Sequence, residues 1–472
     1  MKTNSLDFDA QALREKILDL AMRGKLVKQD PNDEPASMLL EKDGLRESKE
    51  KPHEIPKSWS WIVLGSGAKF INGRAYKKSE LLNDSSLTPI LRVGNLFTNS
   101  SYYYSDLKLE SNKYIDNGDL IYAWSASFGP QIWNGGHVIY HYHIWKVLPE
   151  QSIDKQFLYY FLLDKRNVIG ETDLHGSTMK HITKTNMEHL SFPLPPLEEQ
   201  SRIAAKIAQL FALLRKVESS TQQYAKLQTL LKSKVLDLAM RGKLVKQDPN
   251  DEPASVLLEK VKAEKEQLIK EKKIKKSKPL PPITDEEKPF EIPDSWEWVR
   301  LGEITALVTK GTTPKGGKSA YVNKGINYYR AENVAFSGLS KESLNYIPLE
   351  MHEGLLKRSI LKEKDILITI AGTLGRVTYV KKEDLPGNTN QAVSISRPIN
   401  SDEIDEKFLT YTLTSLLQQV VKNNKTTSIP NLTLRQIEEI IFPFPPLSEQ
   451  YRISTKLSQL FKFICKNKSS IS

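Results

Sequence analysis

Few residues of this sequence have the types and spacing that enzymatic chemistry requires. The segment Gly311–Ser319 resembles a phosphate-binding loop, but five residues separate Gly311 from Gly317, where a Walker A motif has four. Its lysines and threonines suit a contact with a nucleic-acid backbone better. We find no GxSxG, no HExxH and no duplicated acidic pair. The Asn/Asp-Pro-Pro-aromatic motif of base-methylating sites is missing too. The sequence therefore predicts a chain that catalyses nothing by itself.

Three histidines form the one possible metal site. His137, His141 and His143 would share one face of a strand. The matching segment of the second half of the chain, Asn388–Pro398, carries no histidine, and no cysteine lies near the three. We therefore expect these histidines to pack within the fold or contact nucleic acid, and we expect no bound metal.

The composition favours a polyanionic partner. The 472 residues include 68 Lys and Arg against 57 Asp and Glu, a net charge of +11. A single cysteine, Cys465, excludes a disulfide framework and a zinc site built on several thiolates. The first residues contain no apolar signal region, and no apolar run is long enough to span a bilayer. We expect a cytoplasmic protein without membrane contact.

The chain repeats itself once. Leu18–Ser37 recurs without change as Leu236–Ser255. Further pairs of segments match in the same order: Ile55–Gly65 with Ile292–Gly302, Pro89–Leu96 with Asn327–Val334, Gly118–Gly129 with Lys364–Gly375, and Phe192–Phe211 with Phe442–Phe461. Two copies are too few for a solenoid. The pattern indicates a duplicated protein with pseudo-two-fold character.

Each copy contains a mixed region and a helical region. Short runs rich in Tyr, Val, Ile and Thr predict strands, while Leu158–Leu163 and Phe408–Val421 predict helices. We therefore predict α+β domains at 55–196 and 292–446, with helical regions at 1–54, 197–291 and 447–472. Four tryptophans near the domain entrances are expected as core anchors: Trp59, Trp61, Trp296 and Trp298.

The central helical region has the period of a coiled coil. Apolar residues recur every 3.5 residues from Ile203 to Leu238, which predicts a helix of roughly 65 Å from Leu197 to Arg241, ended by Gly242. Residues near both chain ends repeat the two halves of this seam. We predict that the terminal helices pair with the central helix as long antiparallel coiled-coil helices that separate the domains, giving circularly organised repeats. An ordinary amphipathic helix is the alternative.

Two further segments serve as connections. The Pro-Pro-Leu motifs predict rigid exits from each domain, with Glu199 and Glu449 in the first helical turn that follows. The segment Lys260–Pro282 predicts a charged helix that fades into a Lys- and Pro-rich tether. Its basic run could contact phosphate, but a solvated linker is the favoured interpretation.

The duplicated pattern resembles the specificity subunit of type I restriction–modification systems. The resemblance covers nearly the whole chain, and the motifs are specific in this order. It is carried by Ile-Pro-x-x-Trp-x-Trp-x-x-Leu-Gly at the head of each domain, by Pro-x-Pro-Pro-Leu-x-Glu-Gln-x-x-Ile at its exit, and by Leu-Asp-Leu-Ala-Met-Arg-Gly-Lys-Leu-Val in each helical region.

The resemblance implies a division of labour. Each domain would be a target-recognition domain for one half of a bipartite DNA sequence, and the paired helices would fix the spacer. Two modification subunits, carrying S-adenosylmethionine and the adenine-N6 methyltransferase site, would dock on the helical regions. Restriction subunits would add ATP- and Mg-dependent translocation and cleavage. This chain itself would bind double-stranded DNA but no cofactor.

Candidate DNA contacts are cations, amides and hydroxyls in turn-rich stretches, because these groups hold phosphates and read base edges. Those of the first domain are Asn72, Arg74, Tyr76, Lys77, Lys78, Arg92, Ser177, Thr178 and Lys180. Those of the second domain are Lys310, Thr312, Lys315, Lys318, Arg330, Asn390, Gln391, Lys425, Thr426, Thr427 and Ser428. Any one of them could instead be a solvated surface group, and the matched pair Arg92 and Arg330 could be structural.

Three other functions remain open at this level. A stand-alone DNA-binding regulator would bind its site tightly without partners, whereas a specificity subunit would be insoluble or weakly bound alone. The DNA-recognition part of a fused restriction or methyltransferase enzyme would need a longer polypeptide. A coiled-coil scaffold without nucleic acid would leave two dissimilar strand-rich domains without a purpose.

Overall fold

The computed structural model describes residues 9–97, 100–125, 128–169, 182–314, 316–400, 402–423 and 431–466 of the chain. Within them the chain divides between Gln222 and Gln223 into two units, each with helices and a mixed set of strands. The prediction of a mixed helix and strand chain with two domains is confirmed. No helix among these residues is both long enough and apolar enough to cross a membrane.

The first unit begins with two helices, continues through a mixed domain and ends in the first half of a long helix. Its helices are α1 (Ala10–Met22), α2 (Ala36–Asp43), α3 (Leu64–Gly67), α4 (Val93–Phe97), α5 (Lys155–Leu163), α6 (Lys165–Ile169), α7 (Lys184–His189) and α8 (Leu197–Met240). Its strands are β1 (Ser60–Val63), β2 (Ala68–Asn72), β3 (Thr88–Leu91), β4 (Tyr103–Ser105), β5 (Tyr114–Ile115), β6 (Leu120–Ala123), β7 (Gly129–Ile132), β8 (Val138–Tyr140), β9 (Ile144–Pro149) and β10 (Ser191–Leu194).

Two four-stranded sheets and one strand pair build the first domain. One sheet has the antiparallel order β2-β9-β6-β7, and the other has the order β4-β3-β8-β5 with β3 and β8 parallel. Strand β1 pairs with β10 and places Trp61 opposite Pro193, so the entrance and exit of the domain are joined. Phe70, Tyr122 and Trp145 are fully buried in the core.

The second unit contains the second half of α8, a mixed domain and the last helix. Its further helices are α9 (Ala254–Lys270), α10 (Leu349–Glu353), α11 (Glu406–Asn423), α12 (Leu434–Glu439) and α13 (Leu447–Lys466). Its strands are β11 (Glu297–Arg300), β12 (Thr305–Lys310), β13 (Ile326–Tyr329), β14 (Val334–Ala335), β15 (Gly338–Leu339), β16 (Asn345–Ile347), β17 (Ile366–Thr369), β18 (Val377–Tyr379), β19 (Gly387–Thr389), β20 (Val393–Pro398) and β21 (Ile441–Phe444).

The second domain repeats the strand order of the first. Its antiparallel sheet β12-β20-β17-β18 corresponds to β2-β9-β6-β7, and β16-β13-β19 corresponds to β4-β3-β8. Strands β13 and β19 are parallel, as β3 and β8 are. Strand β11 pairs with β21 and sets Trp298 opposite Pro443. The segments matched in the sequence therefore occupy the same places in the two sheets.

The long helix α8 is continuous, as predicted, and Gly242 follows it with a left-handed φ of 65°. In the first unit Leu18 of α1 shares a core with Ile207 of α8. In the second unit Val235 of α8 shares a core with Leu457 of α13. Two positions of the predicted seam, Val217 and Leu231, are exposed. Polar contacts lie near them, where Arg14 of α1 pairs with Glu218 and Gln228 donates to the carbonyl of Ile464 in α13. The coiled coil and the two-fold arrangement stay predictions.

The basic run after α9 is exposed, in agreement with a solvated linker, but the proline-rich end of the tether makes contacts that the sequence did not predict. Arg300 is buried, and its guanidinium donates hydrogen bonds to the carbonyl oxygens of Pro281 (2.8 Å) and Pro282 (3.1 Å). Arg435 donates in the same way to the carbonyl of Pro279 (2.9 Å). Proline carbonyls remain strong acceptors although the residue has no N–H. The proline-rich end of the segment is therefore bound to the second domain.

Candidate nucleic-acid interface

In the first domain four chain segments meet where β8 turns into β9. We call residues 72–74, 92, 124 and 141–143 the first edge. Four main-chain hydrogen bonds join these segments: Gly73 N–H to Ile144 O (3.2 Å), Arg74 N–H to Tyr140 O (3.0 Å), His141 N–H to Leu91 O (2.9 Å) and Trp124 N–H to His143 O (3.1 Å).

The second domain builds the same junction where β19 turns into β20. We call residues 310–312, 330, 370 and 390–392 the second edge. The corresponding bonds are Gly311 N–H to Val393 O (3.1 Å), Thr312 N–H to Thr389 O (3.1 Å), Asn390 N–H to Tyr329 O (3.1 Å) and Ile370 N–H to Ala392 O (2.8 Å). Main-chain bonds do not depend on side-chain identity, so the two edges keep one backbone while their side chains differ.

A glycine is required at one position of each edge. A Cβ on Gly73 would lie 2.3 Å from the carbonyl oxygen of Tyr140, and one on Gly311 would lie 2.1 Å from that of Thr389. Both distances are well below 3.0 Å, a separation that non-bonded Cβ atoms essentially never go under, and both neighbours are main-chain atoms that cannot move aside. The two glycines thus allow the chain that leaves β2 and β12 to cross close to the turn at each edge.

Arg92 and Arg330 occupy matching positions, as the sequence predicts. The N–H of Arg92 donates to Asn95 Oδ1 (3.0 Å), and that of Arg330 donates to Asn333 Oδ1 (2.9 Å). The Arg92 guanidinium lies over the Tyr103 ring at 4.5 Å, while Arg330 pairs with Glu332. Nε of both arginines is buried without a hydrogen-bond partner. Because these Nε atoms are buried, a phosphate or base would contact the other nitrogens of each guanidinium.

The other described candidates of the first domain fall into two groups. Arg74 and Tyr76 are engaged in the fold, since Arg74 pairs with Glu80 at 2.7 Å and Tyr76 donates to the carbonyl of Tyr140 at 3.3 Å. Three candidates are exposed and suit an external ligand: Asn72 of the first edge, and Lys77 and Lys78, which follow residues 72–74 in the chain.

The second domain shows a similar division. Lys310 and Gln391 are exposed, whereas Asn390 is half-buried. Oγ1 of Thr312 accepts a hydrogen bond from exposed Arg358 (3.1 Å), which brings a further cation to the second edge. Sequence reasoning missed Arg358 because no motif surrounds it.

Several candidates lie outside the described residues. These are Ser177, Thr178, Lys180, Lys315, Lys425, Thr426, Thr427 and Ser428, and the side chain of Lys318 also falls outside the description. Their assignment stays a prediction from the sequence.

The three histidines do not share a strand face, which corrects the sequence expectation. His137 precedes β8, stacks on Tyr114 at 4.7 Å and contacts Asp116 (Nδ1 to Oδ1, 2.7 Å). His141 and His143 lie in the turn after β8, with ring centroids 4.8 Å apart. Burial, with smaller contributions from His143 and Arg92, lowers the pKa of His141 to about 4. Among the described residues no cluster of three His, Cys, Asp or Glu side chains could hold a metal.

A buried carboxylate joins each domain to the helix that follows it. Glu199 accepts hydrogen bonds from Trp59 Nε1 (2.9 Å) and from Gln29 Nε2 (2.5 Å). Arg202, one turn further along α8, forms a bidentate pair with Asp33. Burial raises the pKa of Glu199, although both donors oppose this shift.

The second copy reproduces this junction. Glu449 accepts from Trp296 Nε1 (2.9 Å) and Gln247 Nε2 (2.6 Å), and Arg452 pairs with Asp251. The prediction that the entrance tryptophans are anchors is confirmed for Trp59, Trp61 and Trp296, which are buried, whereas Trp298 is half-buried. Sequence reasoning placed both glutamates in a first helical turn but missed their tryptophan partners. Their joint duplication was the available signal.

Comparison with known proteins gives one family. The type I restriction modification DNA specificity domain matches residues 56–228 and 293–471. The chain is 31% identical to the type I restriction enzyme EcoAI specificity subunit of Escherichia coli, over 96% of this chain and 89% of that protein. It is 30% identical to the EcoEI specificity subunit of the same organism, over 98% and 91%.

A solved structure agrees with this result at the level of the fold. It comes from work described as the structural basis underlying complex assembly and conformational transition of the type I R-M system, with a TM-score of 0.58 at 18% identity, covering 89% of this chain and 94% of that one. The motifs, the two edges and these matches lead to one conclusion: the chain belongs to the family of DNA specificity subunits of type I restriction–modification systems.

Proposed function

We propose that this chain selects a divided DNA sequence, reading one half through the first edge and the other half through the second edge. The observation that carries this proposal is the pair of edges, which share four main-chain hydrogen bonds but present different side chains. An unchanged backbone with changed side chains is what two readers of different base sequences require.

The cations at the edges supply the phosphate contacts. Arg92 belongs to the first edge, and Lys77 and Lys78 follow its residues 72–74 in the chain. Lys310 and Arg330 belong to the second edge, which Arg358 contacts through Thr312. The net charge of +11 favours the same partner, double-stranded DNA. Phosphate contacts fix the position of the chain along the duplex. The side chains in the turns of the two edges, at 141–143 and 390–392, then face base edges.

The chain acts as the non-catalytic member of a complex. Two modification subunits carry S-adenosylmethionine and methylate adenine N6, and restriction subunits carry ATP and Mg for translocation and cleavage. No cofactor is assigned to this chain. Its helices α1, α8 and α13 form the coiled-coil scaffold with two-fold, circularly organised repeats that sets the spacer between half-sites, and the complex works in the cytoplasm.

A map of methylated adenines in the source cell, with and without this gene, tests the proposal. A divided motif that disappears on deletion supports it and gives the target and spacer together. An unchanged map contradicts it, provided that the partner genes are expressed. Tight sequence-specific binding by the isolated chain would instead favour a stand-alone regulator.

Exchange of residues 292–445 for the corresponding segment of another specificity subunit tests the division between the edges. One half-site should change while the other half-site and the methylation yield stay as they were. A change in both half-sites would contradict the assignment of one half to each edge.

A further inference from the structure

We propose that two equivalent three-residue turns, 141–143 and 390–392, determine which bases the chain accepts, with Tyr142 and Gln391 as the specificity-determining residues at their tips. This inference rests on the proposed function and goes beyond it, because it assigns specificity to individual residues and names the base that one of them reads.

The equivalence of the turns follows from their backbone. The first residue of each turn, His141 or Asn390, donates its N–H to the strand that precedes Arg92 or Arg330. Its carbonyl oxygen accepts from the N–H of the residue after the turn, at 3.0 Å in the first domain and 3.2 Å in the second. The tips therefore occupy the same place, although the two turns share no residue type.

The first side chain of each turn also closes it in the same manner. Nδ1 of His141 accepts from the N–H of His143 at 3.5 Å, and Oδ1 of Asn390 accepts from the N–H of Ala392 at 3.3 Å. The low pKa of His141 keeps its ring neutral, with the proton on Nε2 when Nδ1 accepts. His141 thus retains one N–H and Asn390 retains its NH₂ group, and the turn uses neither.

The tips are open to an external ligand. Tyr142 is 38% exposed, and Gln391 is exposed, whereas the residues on either side are half-buried. The main-chain N–H of Tyr142 donates to the carbonyl of Arg74, so the backbone holds the tip, and the Tyr142 ring contacts the neighbouring rings of Trp124, His141 and His143. Exchange of either tip side chain therefore leaves the main-chain bonds of its turn in place.

The chemistry of the two tips differs. A glutamine amide forms a bidentate pair with N6 and N7 of adenine. A tyrosine ring provides an apolar face that suits the thymine methyl group, together with one hydroxyl. We therefore expect an adenine at the position that Gln391 contacts, and a different base preference at the corresponding position of the other half-site.

The test uses the full chain assembled with its partner subunits and a duplex DNA library randomised across both half-sites and the spacer, sequenced for methylated adenines. Gln391→Glu replaces the amide by a carboxylate, which accepts from cytosine N4 but cannot donate to adenine N7. One position of one half-site should change from adenine toward cytosine, with an altered preference of about 5- to 150-fold. Asn323→Asp is the matched control, since this exposed amide precedes β13, at the end of the strand opposite Arg330.

Two further variants protect the test against a folding defect. Gln391→Ala should remove discrimination at that one position, and Tyr142→Ser should relax one position of the other half-site only. If all three variants keep the wild-type motif at every position, the turns do not determine specificity, and the proposed function still stands. If the wild-type complex shows no divided motif at all, the proposed function fails and this inference fails with it.

Discussion

Replacement of Glu199 by glutamine should destabilise the first unit, because both carboxylate oxygens of this buried residue accept hydrogen bonds, one from the buried indole of Trp59 and one from Gln29. The indole N–H of Trp59 can only donate, so the single acceptor of the new amide will stay with it. The new amide nitrogen then faces the side-chain nitrogen of Gln29, which is 2.5 Å from Glu199 Oε1 in the native protein. Rotation of the Gln29 amide would break its bonds to Gly24 and Ser58.

The magnitude follows from these two bonds. A hydrogen bond to a charged group contributes about 1.5–3 kcal/mol and a neutral one about 1 kcal/mol, so losing one bond and weakening the other costs about 3 kcal/mol. Glu199 is only 1% exposed, and removal of its buried charge returns part of this. A net loss of about 2 kcal/mol corresponds to about 4–8 °C in Tm for a unit of this size.

Differential scanning calorimetry of the full-length protein measures the shift. Glu198→Gln is the matched control, since Glu198 is an exposed glutamate in the same helical turn. Equal melting temperatures for the two variants would refute the assignment of the Glu199 network as a stabilising junction.

The effect should also depend on pH in a defined direction. Burial raises the pKa of Glu199 above its ordinary value of 4.5. A group whose pKa is higher in the folded state than in the unfolded state contributes to the free energy of unfolding. That contribution is complete below the unfolded-state pKa and is lost as pH rises through the folded-state pKa. The free energy of unfolding of the wild type should therefore exceed that of Glu199→Gln by more at pH 5 than at pH 8. The reverse order would contradict the direction of the pKa shift.

Three other outcomes can be measured directly. Gly24→Ala should lower the melting temperature more than Gly44→Ala. Both glycines have φ near +60°, but only at Gly24 would the new Cβ meet a neighbour, Pro56 Cγ at 2.3 Å. Arg397→Ala should reduce the free energy of unfolding by about 3–5 kcal/mol, because it leaves the fully buried Asp365 without its bidentate partner. A reduction near zero, measured by urea titration, would contradict this. Arg330→Ala should weaken DNA binding and reduce the slope of log Kd against log salt by about 1, while equal slopes would exclude a phosphate contact.

The sequence predicts the elements and the family well because the chain presents its motifs twice. The matched pair of Arg92 and Arg330 appears at equivalent positions, as the alignment of the two halves predicts. The correspondence of Gly73 with Gly311 could not be found in this way, because the residues around them differ and only their approach to a carbonyl reveals it.

The errors have physical causes as well. The histidines were expected on one strand, but β8 ends at Tyr140 and the chain turns, so alternation no longer applies. The contacts at the proline-rich end of the tether were not predicted, since composition reports charge and stiffness but not which carbonyls meet Arg300 and Arg435. Long-range contacts of this kind depend on the tertiary fold.

The main-chain bonding of the turns has a consequence for how such a protein changes over generations. A substitution at 142 or 391 leaves the backbone bonds of its turn intact and, among the described residues, removes at most the ring contacts of Tyr142 with Trp124, His141 and His143, so the chain stays above the threshold that folding requires. Mutations there are consequently filtered almost entirely by their effect on target choice. A population can therefore sample new DNA preferences by single replacements, whereas changes at Gly73 or Gly311 would be removed by selection before any new preference appeared.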